Sequence, residues 1–88
     1  MVNQYFTIRI VDDDGEGIEG IFIYVKYWLT TEGETTGDDG WAHFSKSAFS
    51  KFTEGGITVS EIGVGDEVLA TDLYIEDGDS HSYTIAND

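Results

Sequence analysis

The sequence predicts an all-β chain, a single-domain antiparallel β-sandwich of six to seven short strands spanning residues 1–88. Two observations carry this expectation. Apolar residues recur at every second position in several short runs, the period of a strand with one buried face. Turn-forming clusters rich in Gly and Asp separate those runs from end to end, with 11 Gly and no Pro in the chain. Hydrophobic residues at 40% and aromatics at 14% supply enough apolar surface for one packed core.

The first strand is read at Tyr5–Val11, with Phe6, Ile8 and Ile10 on one face and Thr7 and Arg9 on the other. Asp12-Asp13-Asp14-Gly15-Glu16-Gly17 then forms a turn. A second strand runs from Gly20 to Leu29, its faces being Ile21, Ile23, Val25, Tyr27 and Phe22, Tyr24, Lys26, Trp28. Thr30–Gly40 is polar and glycine-rich and reads as a loop or an irregular edge. Trp41–Phe44 is a short strand. Ser45–Phe52 reads as at most one short helical turn or two, with Ser45 as cap and Phe49 and Phe52 inward. Strands at Ile57–Ile62, Glu67–Ile75 and His81–Ala86 complete the chain, separated by Gly63-Val64-Gly65-Asp66 and Asp77-Gly78-Asp79.

Charge excludes several classes of function. Four Lys and Arg against 18 Asp and Glu give a net −14, which opposes attraction to nucleic-acid phosphates or anionic membranes. The absence of Cys removes disulfides, thiolate metal sites and a cysteine nucleophile. No apolar run is long enough to span a bilayer, and no basic start precedes an apolar stretch. Catalytic constellations are also missing, so the chain reads as a non-enzyme. His43 and His81 have no ligand spacing between them, and Ser80-His81-Ser82 on a strand alternates faces. Gly15-x-Gly17-x-x-Gly20 spells a dinucleotide fingerprint but precedes a strand, whereas that site requires a helix N-terminus.

Several stretches resemble one family. Ile8-x-Ile10-x-Asp12-x-x-Gly15-x-x-Ile18-x-Gly20-x-x-Ile23-x-Val25 is similar to the opening of transthyretin-like (prealbumin-like) domains. That group includes carboxypeptidase regulatory-like domains and the B-type repeats of collagen adhesins. Thr36-Gly37-Asp38-Asp39-Gly40 followed by Trp41–Phe44 resembles its second motif. Gly56–Glu61 and Tyr83–Asn87 resemble later strands. The resemblance implies an immunoglobulin-like sandwich used as spacer, stalk or adhesion module, frequently outside the cell, with Ile21, Ile23 and Val25 facing the core. Three positions depart from the pattern. Gly17 stands where Pro is usual, Ile21 where a small residue is usual, and the first strand has no Lys. Glu61 and Asn87 match the acid and the Asn of the isopeptide bond in some adhesin repeats, but without that Lys no crosslink is expected.

Two candidate sites emerge. Phe22, Tyr24 and Trp28 form an outer aromatic face, expected to share its surface with Arg9, Thr7 and Tyr5 of a neighbouring strand. Tyr and Trp suit contacts with protein or carbohydrate, because an apolar body carries a polar tip. The competing reading folds Ser45–Phe52 over these rings. The second candidate is acidic. If successive strands alternate in direction, Asp12 and Asp14 fall at the same end as Asp77 and Asp79, an oxygen set suited to calcium. The competing reading is a solvated surface, and no cofactor is required.

Two functions follow. One is a non-catalytic module of a surface or secreted protein, a spacer or adhesion unit within a longer chain, meeting protein, carbohydrate or neighbouring domains. The other is a small acidic cytoplasmic inhibitor, phage-encoded, that mimics nucleic acid toward a basic protein target. Carboxylates spread through turns rather than drawn into one stripe favour the first.

Overall fold

The computed structural model describes residues 3–27, 30–47 and 56–85. Seven strands form two sheets, and the described residues contain no helix. They are β1 (Asn3–Val11), β2 (Phe22–Lys26), β3 (Thr31–Thr35), β4 (Trp41–Ser47), β5 (Gly56–Val64), β6 (Glu67–Glu76) and β7 (Ser80–Thr84). One sheet has the order β4-β1-β7 and the other β3-β2-β5-β6. The domain is a β-sandwich measuring 40 × 22 × 16 Å.

Period-two alternation determines what lies between the sheets. Phe6, Ile8 and Ile10 of β1 and Ala42 and Phe44 of β4 face Ile23 and Val25 of β2, Val59 and Ile62 of β5 and Ile75 of β6, all buried. Tyr27 joins them just beyond β2. Phe6 and Phe44 are cross-strand partners, and their rings stack with centroids 5.2 Å apart. Burial of each such side chain contributes about 1.5–3 kcal/mol. Alternation breaks in β5, whose register with β6 also shifts between Ile62 and Gly63. Val59 and Ile62 both point inward although three residues apart, beside Asp72 of β6, whose φ of 51° marks the irregular step.

Thr36 ties the two sheets' connections together. Its hydroxyl donates to Ile18 O at 2.6 Å and accepts from Ile21 N at 2.9 Å, which anchors the approach to β2 on the end of β3. Close by, the backbones of Gly17 and Gly40 touch. A Cβ on Gly17 would strike the Asp39 carbonyl, and Gly40 has a φ of 88°. Any side chain at position 17, a proline ring included, would fill that same space.

Three expectations are corrected here. Thr31–Thr35, read within a loop or an irregular edge, is a regular edge strand. It escapes an alternation search because it is an edge, paired only to β2 and largely exposed. Ser45 does not cap a helix, since β4 continues through Ser47 in register with Asn3; Phe49 and Phe52 lie outside the described residues. Finally, β7 pairs parallel to β1. Every pairing fits strands that alternate in direction, and β3 brings their number to seven, so the turn before β7 falls at the opposite end from the turn after β1.

Candidate functional site

The parallel pairing decides the fate of the acidic cluster. Ser80 sits opposite Thr7 and Thr84 opposite Val11. Asp77 and Asp79 therefore lie beside the start of β1, where Asp77 Oδ1 accepts from Tyr5 N at 2.8 Å. Asp12 and Asp14 lie past the other end of β1, separated by about 3.3 Å for each residue of strand. The structure does not bring the four aspartates together, which corrects the shared-end expectation. Asp12 Oδ1 accepts from the amides of Asp14 and Glu16 at 2.9 and 3.0 Å. Asp79 Oδ2 accepts from Glu76 N at 2.8 Å and lies 3.7 Å from His81 Nε2. These carboxylates close turns. Among the described residues no group of three or more metal-ligating side chains converges.

The aromatic candidates divide between the two sheets. Phe22 and Tyr24 lie on the outer face of the four-stranded sheet, while Trp28 is outside the described residues. Their rings reach sideways over glycines. A Cβ on Gly33 of β3 would meet the far end of the Phe22 ring, and one on Gly63 of β5 would meet the Tyr24 phenol. Both rings lie across positions that have no side chain to displace them. Phe22 is 58% exposed, and Val68 and Tyr74 of β6 expose apolar surface on the same face. Tyr24 Oη donates to Glu61 Oε2 at 2.6 Å, which lifts its pKa, and desolvation adds to the rise. Lys26 Nζ lies 3.7 Å from that carboxylate and 5.4 Å from the Tyr24 ring centroid. Glu61 thus occupies an outer ion pair, away from the interior; Asn87 is outside the described residues.

Arg9 does not share this face. β1 belongs to the other sheet, so Arg9, Thr7 and Tyr5 point to the opposite side of the sandwich. The sequence expectation failed because alternation assigns faces within a strand but not the sheet to which the strand belongs. Register organises the surface that Arg9 does occupy. His43, Thr7 and Ser80 form one row across β4, β1 and β7, and Trp41, Arg9 and Ser82 form the next. The Arg9 guanidinium carbon sits 5.7 Å from the Trp41 ring centroid, and its Nε donates to Asp39 O at 3.0 Å. Thr7 Oγ1 and Ser80 Oγ share a hydrogen bond at 2.8 Å. Thr7, Asp39, Trp41, His43 and Ser80 line a shallow depression of about 310 Å³. Sequence reading missed this group, since only cross-strand register assembles it.

The class of molecule defined by these observations is a two-sheet all-β sandwich with polar and aromatic outer faces. A solved structure of the Bacillus anthracis TIE protein is similar, with a TM-score of 0.63 and 13% identity, over 97% of this chain and 16% of that one. The chain thus spans about one sixth of the length of that structure. No protein-family profile and no curated protein matches the sequence. Among the described residues no helix is long and apolar enough to cross a membrane.

Proposed function

We propose that the domain is a non-catalytic module of a longer surface or secreted protein, serving as a spacer or adhesion unit. The observation that supports this best is the parallel pairing of β1 with β7. With first and last strands side by side and parallel, the chain enters at one end of the sandwich and leaves at the other. Copies or neighbours joined through such ends extend in line, as a stalk requires. The similarity to one sixth of a longer structure supports the same reading, as does the sequence resemblance to transthyretin-like spacer domains. The aromatic face of Phe22 and Tyr24 is the surface offered to a partner, protein or carbohydrate.

An antibody raised against the domain tests this on the native source. The expected result is a polypeptide well above 9.7 kDa that is removed by protease treatment of intact cells or recovered from the medium. A free species of the domain's own mass, retained inside the cells, would instead favour the acidic inhibitor.

A further inference from the structure

We propose that the depression beside Trp41, on the outer face of the β4-β1-β7 sheet, binds one ring of a neutral saccharide. This is a second surface, opposite the Phe22–Tyr24 face, and it does not depend on the domain being a spacer. Three features select the ligand. The depression is small and open, about 310 Å³, which suits one compact ring resting on the surface. The lining pairs one aromatic residue, Trp41, with Asp39, His43, Thr7 and Ser80, whose side chains supply hydrogen-bonding groups of both senses, the Thr7 and Ser80 hydroxyls sharing one bond at 2.8 Å. A sugar ring presents the matching pair, an apolar C–H face and a fringe of hydroxyls.

A net −14 disfavours anionic ligands. Arg9, the cation nearest the depression, already donates to Asp39 O and lies over the Trp41 ring. Hydroxyl, imidazole and carboxylate-bearing residues beside an aromatic ring match a hydroxylated ligand. The site is also held in place. Four of its five lining residues sit on paired strands. Asp39 is fixed by a turn in which Gly40 N donates to Gly37 O at 3.0 Å and Gly37 N to Trp41 O at 2.9 Å.

The test is a ¹⁵N NMR titration of the intact domain with neutral gluco-, galacto- and manno-oligosaccharides and chitotetraose, and with an anionic uronate oligomer as control. At least one neutral probe should shift the amides of Thr7, Asp39, Trp41, His43 and Ser80 together with a tryptophan indole resonance. His43 and Ser80 are exposed, so His43→Ala and Ser80→Ala should keep the wild-type melting temperature. Each should weaken binding several-fold, and Trp41→Ala should weaken it by about tenfold or more. The proposal is overturned if no neutral probe moves these resonances, if the shifts fall on Phe22 and Tyr24 instead, or if the uronate alone binds. Unchanged affinity in His43→Ala and Ser80→Ala would overturn it as well.

Discussion

Thr36 holds a buried hydroxyl on which two backbone groups depend, Ile18 O and Ile21 N. Thr36→Val keeps the shape and removes both bonds, leaving buried polar groups without that partner, and should cost about 1–3 kcal/mol. Urea unfolding measures this; a loss below about 0.5 kcal/mol would show that the connection does not rely on the hydroxyl. Tyr27 reports on a different linkage. Burial, reinforced by Glu32, to which its Oη donates at 3.2 Å, holds its pKa far above the ordinary 10.0. The neutral phenol is therefore favoured in the folded state. Its contribution is fully present below the ordinary pKa and is lost as pH rises beyond it toward the folded value. Between about pH 9 and about pH 11, wild type should lose more stability than Tyr27→Phe. Equal losses would place the alkaline sensitivity elsewhere.

At the scale of the element, β2 shows how aromatic rings and glycines cooperate. Gly63 leaves room for the Tyr24 ring, so Gly63→Ala should destabilise by about 1 kcal/mol in wild type. In a Tyr24→Ala background the same change should cost at least about 0.5 kcal/mol less, a coupling that a double-mutant cycle resolves. An identical cost in both backgrounds would mean that the ring and the glycine do not interact. The two faces of β1 were legible in its alternation, because burying one face leaves a period-two mark, whereas both faces of β2 are apolar and its inward one was assigned by the resemblance. β3 was not legible. Thr-Glu-Gly-Glu-Thr carries no apolar alternation, and its place as a strand comes from pairing with β2 and from Gly33 making room for Phe22. Nor was the Trp41 depression. Trp41, Thr7 and Ser80 are far apart in sequence and adjacent only through the registers of two strand pairs. The expected aspartate cluster failed with β3, because one more strand in an alternating chain makes β7 parallel to β1 and sends the turn before β7 to the opposite end from the turn after β1.

At the scale of the whole molecule, charge and topology set behaviour. A net −14 on a small sandwich means that folding concentrates like charges. Sodium chloride should raise the melting temperature by screening exposed carboxylates, the Debye length being about 10 Å at 0.1 M. With the four aspartates split between opposite ends, calcium should add nothing beyond sodium at matched ionic strength. A saturable calcium-specific gain, abolished by Asp12→Asn or Asp77→Asn, would reopen a metal site. The proposed spacer role is mechanical. Tension between the start of β1 and the end of β7 pulls two parallel neighbours in opposite directions and loads their ladder in shear, all bonds at once. Tension between Asp14 and the end of β7 acts at one end of the same ladder, where Ile85 N donates to Val11 O at 3.0 Å, and opens it bond by bond. Single-molecule pulling in the two geometries compares them directly. The end-to-end geometry should unfold at about twice the force of the other or more at equal loading rate, because forced unfolding follows the barrier to opening. Equal forces in both geometries would contradict a load-bearing spacer built on the β1–β7 pair.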